Sequence, residues 1–254
     1  YGVFTDSKGN VYEGEWGNDL KTGKGILKYS NGDQFDGDWK NNLKTGKGKM
    51  IYANGDTYVG DWKNDKKEGM GEANFITDGI TYKGDFKNNL FHGSGKYTSS
   101  IGDSYEGGWK YGKREGKGVY NSSFGDQYEG TWKNDMKHAN GIYIFADGAQ
   151  YTGQWQNDQI TGEGSYTFSD GSICKGSFIN GKINGQGTFD YINGDRYNGE
   201  FKSGTRDGQG TCIFSNGEKY IGEWVDDEIN GQGKFIYRNG NIYEGAFVNR
   251  VMEG

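Results

Sequence analysis

Apolar and polar residues alternate in short stretches on both sides of a glycine that recurs along the chain. In the unit 25–39, Leu27 and Tyr29 fall on one face of the first stretch. Phe35 and Trp39 fall on one face of the second stretch. A two-residue period is typical of β-strands, and two such strands around a turn predict a β-hairpin.

The turn has to keep these apolar side chains on one face of the hairpin. A two-residue loop of Asn31 and Gly32 would place Leu27 and Phe35 on opposite faces. A three-residue loop, 30–32, places Leu27 opposite Phe35. The sequence therefore predicts a type I turn followed by a G1 bulge, whose last residue adopts the left-handed conformation that favours glycine.

The hairpin recurs every 23 residues, with one interval of 24. The turn glycines that mark this period are Gly9, Gly32, Gly55, Gly79, Gly102, Gly125, Gly148, Gly171, Gly194, Gly217 and Gly240. Rings at matching positions are predicted to form the repeat core: Tyr12, Trp16, Phe35, Trp39, Tyr58, Trp62, Tyr82, Phe86, Tyr105, Trp109, Tyr128, Trp132, Tyr151, Trp155, Phe178, Tyr197, Phe201, Tyr220 and Trp224. Such a period indicates an array of one supersecondary unit whose copies stack on one another.

We predict an all-β fold, an elongated single-sheet antiparallel meander of about eleven stacked 23-residue β-hairpins with one aromatic and one charged face. A glycine between two rings would leave a slot for a ring across the backbone. At ~4.8 Å per strand, such a sheet would extend on the order of 100 Å. Residues 1–254 are expected to form one continuous array, with hairpins near 2–16, 25–39, 48–62, 71–86, 95–109, 118–132, 141–155, 164–178, 187–201, 210–224 and 233–247.

Some copies depart from the pattern. Ser99 and Ser122 stand where most copies have Tyr or Phe, and one extra residue lies between Gly71 and Gly79. We therefore expect curvature or flexibility to concentrate between residues 70 and 140. Because the chain begins and ends inside a repeat, we also expect it to be a fragment of a longer array.

Composition favours an ordered chain. Glycine accounts for 48 of 254 residues and proline is absent, but the glycines follow the repeat period and alternate with 7 Trp, 19 Tyr and 14 Phe. No apolar run approaches the ~20 residues of a membrane helix. The two cysteines do not suggest a disulfide framework, so a cytoplasmic location is expected.

The charge distribution argues against a nucleic-acid partner. The formal net charge is -6. Residues 1–127 carry 18 basic and 18 acidic residues, and residues 128–254 carry 11 and 17. Since nucleic-acid binding requires a dominant basic face, we expect no such partner.

The pattern Tyr-x-Gly-x-Trp, followed by Asn and then Gly-x-Gly, resembles the MORN (membrane occupation and recognition nexus) repeat family. Near-ideal copies occur at 58–64 and 128–134, and the resemblance covers essentially the whole chain. It is closest to protozoan, apicomplexan-type cytoskeletal scaffolds made almost wholly of MORN repeats. The resemblance implies a non-catalytic, cytoskeleton-associated scaffold that dimerises, binds cytoskeletal or other scaffold proteins, and acts in cell division or budding.

Residues suited to catalysis or metal binding are sparse, and we expect no enzyme activity and no cofactor. His92 and His138 occupy the same position two repeats apart, roughly 19 Å at ~4.8 Å per strand, too far to share a metal within one chain. Cys174 and Cys212 lie roughly 14 Å apart, beyond the ~7 Å limit for a disulfide. We interpret the histidines as exposed loop residues and the cysteines as buried. An intermolecular zinc site formed by these four residues is the alternative.

Two other functions remain open. The family is named after a role at membranes, and a phospholipid- or phosphoinositide-binding, membrane-tethering module would associate peripherally near a membrane. The basic residues that would contact headgroups are Lys21, Lys24, Lys28, Lys44, Lys47 and Lys49. Interleaved acids would cancel much of the ~1 kcal/mol that each basic residue contributes, so the scaffold is favoured. The third possibility is a regulatory repeat region of a larger enzyme.

Self-association is expected through the C-terminal repeats. These copies carry an intact apolar set, and the sequence supplies no polar cap there. Pairing two identical ends would close an exposed sheet edge and give a finite two-fold dimer. The candidate interface residues are Phe235, Tyr237, Tyr243 and Phe247.

Overall fold

The computed structural model describes residues 1–253, and every regular element within them is a β-strand. There are 23 strands, one more than eleven hairpins require. Their bounds are β1 Gly2–Thr5, β2 Val11–Gly17, β3 Leu20–Lys28, β4 Gln34–Lys40, β5 Leu43–Ile51, β6 Thr57–Lys63, β7 Lys66–Phe75, β8 Ile80–Lys87, β9 Leu90–Ser99, β10 Ser104–Lys110, β11 Lys113–Asn121, β12 Gln127–Lys133, β13 Met136–Ile144, β14 Gln150–Gln156, β15 Gln159–Thr167, β16 Ile173–Ile179, β17 Lys182–Asp190, β18 Arg196–Lys202, β19 Thr205–Ile213, β20 Lys219–Val225, β21 Glu228–Ile236, β22 Ile242–Val248 and β23 Val251–Glu253.

The strands are distributed over two compact units. The first comprises Tyr1–Ser123 and Trp132–Asp135, and the second comprises Phe124–Thr131 and the chain from Met136 onward. Within each unit, strands that follow one another in sequence pair antiparallel, as β3, β4 and β5 do in the first and β17, β18 and β19 in the second. The predicted all-β antiparallel meander is confirmed.

The turn inside the hairpins has the predicted three-residue form, except in the third copy, as β3 and β4 illustrate. Leu27 lies opposite Phe35, as the face argument requires. The Gly32 amide donates to the Tyr29 carbonyl over 3.0 Å, and the Tyr29 amide donates to the Asp33 carbonyl over 2.9 Å. Gly32 has φ +95°, in the left-handed region that a side chain disfavours.

A second kind of turn joins successive hairpins, and the sequence reading did not identify it. Asn41 and Asn42 have φ of +51° and +69°, and they connect Lys40 to its partner Leu43. Two consecutive left-handed residues form a type I′ turn, which Asn and Asp tolerate well. Each long strand therefore begins earlier than predicted, and β5 starts at Leu43 rather than near residue 48.

A bulge interrupts each long strand. Between β4 and β5 the pairing passes from Gly37 opposite Gly48 to Trp39 opposite Lys44, so the longer strand holds extra residues around Gly46. Gly46 has φ +54°. Because the bulge adds two residues, the alternation of faces is kept, and Lys44 rather than Gly46 lies opposite Trp39 on the same face.

The extra residue of the third copy is absorbed by its turn. The loop between β7 and β8 spans residues 76–79, and Phe75 pairs with Ile80 on either side of it. Ala73 remains opposite Tyr82, so the strands keep their register. The flexibility expected near this copy stays a prediction.

The core is a row of rings that lie on glycines. Tyr58 is fully buried, and a Cβ added at Gly60 would lie 2.6 Å from its hydroxyl oxygen. The Tyr58 ring meets Trp62 edge to face at 5.2 Å and Phe86 at 5.0 Å, and Phe35 meets Trp62 in the same way. Edge-to-face pairs of this kind add stability beyond area burial. Of the predicted core rings, Trp16 is half-buried and the others are buried.

Candidate functional site: the aromatic face and its capping row

The face that carries the core rings, the aromatic face, also carries a second row of aromatic residues at the end of the long strands. In the first unit these are Tyr29, Tyr52 and Phe75, all half-buried. In the second unit they are Phe145, Phe168, Tyr191, Phe214 and Tyr237. The partly exposed rings of this row give each unit a repeated apolar surface, and such surfaces are typical of interaction sites.

The second residue of each long strand lies over the core rings. Lys44 Nζ is 5.4 Å from the centroid of the Phe35 ring and 5.0 Å from that of Trp62. The Arg206 guanidinium carbon is 4.2 Å from the Trp224 ring. A cation over an aromatic face contributes about 0.5–2 kcal/mol. We call this set the capping row: Lys21, Lys44, Lys67, Phe91 and Arg114 in the first unit, and Lys137, Ile160, Ile183, Arg206, Ile229 and Met252 in the second.

The cations of the first unit differ in their partners. Arg114 Nε lies 3.4 Å from Asp135 Oδ1, and its Nη2 donates to the Asp135 carbonyl over 2.8 Å. Within residues 1–253, no carboxylate oxygen lies within 4.0 Å of the ammonium groups of Lys21, Lys44 or Lys67. Lys44 Nζ donates to the Tyr29 hydroxyl over 3.2 Å. These lysines are thus held by rings rather than by ion pairs.

Burial disfavours the charge on these lysines. Removal from water lowers the pKa of Lys21, Lys44 and Lys67, and the more distant carboxylates around them offset this only in part. Lys67 is the most buried of the three, at 8% exposed. An anion from outside the chain would restore favourable interactions to all three ammonium groups.

An open cavity of about 480 Å³ lies beside Lys67. It is lined by Asp33, Tyr52, Ala53, Asn54, Asp56, Lys67 and Phe75. Both carboxylates have partners already, since Asp33 Oδ1 accepts the Ala53 amide and Asp56 Oδ1 accepts the Ile76 amide, each over 2.8 Å. The cavity therefore presents the Lys67 ammonium group, which has no ion pair within 4.0 Å, between the Tyr52 and Phe75 rings and beside two hydrogen-bonded carboxylates.

The six lysines proposed from sequence to bind lipid headgroups divide between two faces. Lys21 and Lys44 belong to the capping row of the aromatic face. The other four alternate with inward residues and point to the opposite face: Lys24, Lys28, Lys47 and Lys49. Two of these form ion pairs on that face, Lys24 with Asp38 and Lys47 with Asp61. Sequence reasoning missed Lys67, although it follows Lys44 by one period.

Comparison with protein-family models matches the MORN repeat to residues 12–34, 35–57, 58–73, 82–104, 105–123, 128–150, 151–173, 174–196, 197–219 and 220–242. The matched ranges take up most of the sequence. The chain belongs to the MORN repeat family. MORN repeats are non-catalytic modules of proteins that interact with other proteins or with membranes.

Solved structures similar to this MORN chain include the TCP10 domain of CPAP from Danio rerio in complex with a STIL peptide (12% identity, 94% of this chain and 99% of that one, TM-score 0.34). They also include the TCP10c domain of Drosophila melanogaster Sas-4 (10% identity, 67% and 94%, TM-score 0.34) and virginiamycin B lyase from Staphylococcus aureus (11% identity, 97% and 84%, TM-score 0.17). At TM-scores of 0.34 and below, these likenesses carry no conclusion about this chain. Among curated protein sequences, none matches the chain.

The structure corrects the interpretation of the histidines. His92 lies in β9 and His138 in β13, so both are half-buried strand residues rather than exposed loop residues. The reason is the early start of each long strand after its type I′ turn. Cys174 and Cys212 are free and buried, and burial raises the pKa of these thiols to about 12 and about 11. Among residues 1–253, no group of three His, Cys, Asp or Glu side chains is placed to hold a metal ion, and the intermolecular zinc site stays an untested alternative.

The C-terminal candidate residues differ in their accessibility. Phe235, Tyr237 and Tyr243 are half-buried. Phe247 is only 2% exposed, since it meets the Tyr220 ring at 5.2 Å and pairs with Met252 of β23. Phe247 is therefore a core ring of its MORN repeat, and the other three rings remain candidates for an interface. The described residues include no helix with the length and apolar character needed to cross a membrane.

Alkaline pH is expected to unfold this MORN protein between about pH 10 and pH 12. Burial raises the pKa of four tyrosines to about 12 from an ordinary value of 10.0: Tyr29, Tyr105, Tyr128 and Tyr220. Tyrosines of the unfolded chain lose their protons near pH 10, so across this range the unfolded state binds fewer protons and stability falls as the pH rises. The three buried lysines act in the opposite sense but are fewer. Near-ultraviolet tyrosinate absorbance should rise together with loss of the strand circular dichroism signal, and a gradual rise near pH 10 with intact structure would contradict this.

Proposed function

We propose that this MORN-repeat protein is a non-catalytic scaffold of the cytoskeleton that self-associates as a homodimer. In this proposal it acts in the cytoplasm, in the assembly of a structure associated with cell division or budding. One observation carries the proposal. The same surface, half-exposed rings beside a capping residue, is repeated from hairpin to hairpin. The resemblance to protozoan, apicomplexan-type scaffolds made almost wholly of MORN repeats supports it.

The chemistry of the buried groups favours binding over catalysis. Burial raises the pKa of the Cys174 and Cys212 thiols and leaves them uncharged near neutral pH, where a thiol is a poor nucleophile. The carboxylates beside the aromatic face, such as Asp33 and Asp56, accept backbone amides and hold the turns together. These groups are occupied in maintaining the repeat, which supports a scaffold role.

Lipid binding is the weaker proposal. A headgroup site needs several basic residues on one surface. Lys24 and Lys47 are instead paired with Asp38 and Asp61 on one face, while Lys44 lies over rings on the other. Because the basic residues are divided between the two faces, neither face attracts an anionic membrane strongly.

The dimer is tested with one pair of matched variants. Tyr237 and Tyr191 occupy the same position of the repeat, and serine occurs at that position naturally at Ser99 and Ser122. Both Tyr237→Ser and Tyr191→Ser should therefore fold. If the C-terminal repeats form the interface, light scattering at tens of micromolar should give the mass of two chains for the parent and for Tyr191→Ser. Tyr237→Ser should give the mass of one chain.

Three outcomes count against this model. A parent protein that is monomeric at tens of micromolar removes the homodimer. Equal masses for the parent and Tyr237→Ser, with both folded by circular dichroism, place the contact elsewhere. Dissociation by Tyr191→Ser as strong as that by Tyr237→Ser would show a general effect of losing a ring from the aromatic face.

A further inference from the structure

We infer that the aromatic face of the first unit binds an extended segment of a partner protein in the polyproline II conformation, with a carboxylate at every third residue. The inference rests on the proposed function, in that it assigns a protein partner to this face. Its site consists of the capping lysines Lys21, Lys44 and Lys67 and the neighbouring rings of Tyr29, Tyr52 and Phe75.

Charge partners are distributed unevenly along the capping row of the first unit. Arg114 receives both the Asp135 carboxylate and the Asp135 carbonyl. Lys44, at the same position of its own repeat, reaches only the Tyr29 hydroxyl and the ring faces around it. A half-buried ammonium group with unfilled hydrogen-bonding capacity is favourable for an incoming carboxylate. Three such ammonium groups in consecutive repeats form a row, and each of them would accept a carboxylate from a ligand.

The distance between successive capping lysines sets the repeat of the ligand. Successive capping lysines are separated by one hairpin, or two strands, which corresponds to about 9.6 Å across the sheet at ~4.8 Å per strand. A polyproline II helix has three residues per turn and rises ~3.1 Å per residue, so residues three apart point the same way and lie about 9.3 Å apart. A β-strand would place residues three apart on opposite sides. The lysine row therefore matches a polyproline II ligand better than a strand.

Aromatic rings form the surface between the lysines. Lys67 Nζ lies 5.2 Å from the Tyr52 ring and 5.8 Å from the Phe75 ring, and all three residues line the open cavity. Aromatic-lined grooves are the usual receptors for polyproline II segments, whose backbone is already extended and loses little entropy on binding. The residues between the carboxylates of the ligand would lie against these rings.

The row is bounded within the unit. At the next repeat the capping position is Phe91, whose ring stacks on Tyr82 at 3.7 Å and fills the place of the cation. The carboxylates that line the cavity accept amides from the turn of the following hairpin, and neither lies within 4.0 Å of the Lys67 ammonium group. Three carboxylates at positions i, i+3 and i+6 are therefore the expected recognition pattern.

The test uses fluorescein-labelled synthetic peptides and the full chain, with binding followed by fluorescence anisotropy at low salt. The probe is (Glu-Pro-Pro)₄. One control, (Gln-Pro-Pro)₄, keeps the conformation and removes the charge, and a second, Glu₄Pro₈, keeps the charge and removes the spacing. We expect the probe to bind about tenfold more tightly than either control, since one charge-assisted hydrogen bond alone corresponds to about that factor.

The repeat itself provides protein variants that should fold. Isoleucine caps the rings at Ile160, Ile183 and Ile229, and arginine does so at Arg114 and Arg206. Lys44→Ile should weaken probe binding by about fivefold or more. Lys44→Arg should weaken it too, because Asp65 accepts the amide of residue 44 as Asp135 accepts the Arg114 amide, and its carboxylate can pair with the new guanidinium. The matched control is Lys47→Gln, in the same strand but on the opposite face, which should leave binding unchanged.

Several results would overturn the inference. Equal binding of the probe and (Gln-Pro-Pro)₄ removes the charge requirement, and equal binding of the probe and Glu₄Pro₈ removes the spacing requirement. Equal losses in Lys44→Ile and Lys47→Gln place binding away from the aromatic face. If phosphoinositide vesicles retain the parent but not Lys44→Ile, with no preference among the peptides, the face binds lipid instead. If Lys44→Ile does not fold, Lys21→Ile replaces it, and the same loss of probe binding is expected. Light scattering on the same samples distinguishes failure of the peptide-binding inference from failure of the scaffold proposal. A protein that remains a dimer but does not bind the probe overturns only the peptide-binding inference.

Discussion

Gly37→Val is expected to destabilise the repeats around β4 and β5 by about 3 kcal/mol, because the new side chain would be packed too closely against atoms that cannot move aside. A Cβ at this position would lie 2.6 Å from Gly48 Cα, 2.7 Å from the Lys47 carbonyl oxygen and 2.7 Å from Phe35 Cζ. Two of these atoms belong to the backbone of the paired strand. They can shift only if the hydrogen bonds of the ladder break.

Urea denaturation followed by tryptophan fluorescence measures this loss, and hydrogen exchange shows whether it is confined to neighbouring repeats, as expected for an array with nearest-neighbour coupling. The matched control is Gly17→Val, at the end of β2, where the nearest atom is the Thr22 methyl carbon at 3.3 Å. We expect this control to remain within about 1 kcal/mol of the parent. A Gly37→Val protein as stable as the control would show that the ring does not need the glycine surface.

Tyr58→Ala is expected to cost about 4 kcal/mol, which is the range for removing a large buried ring. The side chain has no exposed surface, meets Trp62 and Phe86 edge to face, and lies beneath Lys67 at 4.9 Å. Its removal would open a cavity that no neighbour fills, and would withdraw one of the rings on which Lys67 rests. The stability loss should again appear as a lower urea midpoint.

Tyr58→Phe separates the ring from its hydroxyl. The hydroxyl donates to the Asp61 carbonyl over 2.9 Å, and loss of one such bond costs about 1 kcal/mol. Phenylalanine occurs at the same position of another repeat, at Phe35, where it is fully buried. Similar losses in Tyr58→Phe and Tyr58→Ala would mean that the hydroxyl bond, rather than ring packing, holds this core.

The hairpins were predictable because local patterns determine them. Only a three-residue turn puts Leu27 and Phe35 on one face, and only a residue such as Gly32 accepts the left-handed conformation that this turn needs. Burial of the rings followed from the same alternation. These features depend on residues a few positions apart, so the sequence contains the whole argument for them.

The type I′ turns were less evident, although their signal is present. Pairs such as Asn41 and Asn42 follow each core Trp or Phe, and both residues have positive φ. Without these turns the long strands seemed to begin at the Gly-x-Gly positions. That error placed His92 and His138 in loops, whereas each lies near the start of a long strand, just after the type I′ turn.

The candidate site was the least predictable feature. Lys44 and Lys47 are three residues apart on β5, so alternation already places them on opposite faces, but the bulge at Gly46 decides that Lys44, and not Gly46, lies opposite Trp39. A search for clustered basic residues groups these lysines together, because it does not consider on which face of the sheet each side chain lies. Likewise, the accessibility of Phe247 depends on its contacts with Tyr220 and β23.

The sequence by itself thus determined the all-β class, the hairpin period, the turn glycines and the identity of the core rings, because each follows from periodicity and backbone sterics within one repeat. The tertiary structure decided which cations lie over the rings and which pair with carboxylates on the opposite face. It also decided that, within residues 1–253, no carboxylate oxygen lies within 4.0 Å of the ammonium groups of Lys21, Lys44 and Lys67. The physical reason is that these relations arise between neighbouring strands, where the bulge and the strand register fix the contacts of each side chain.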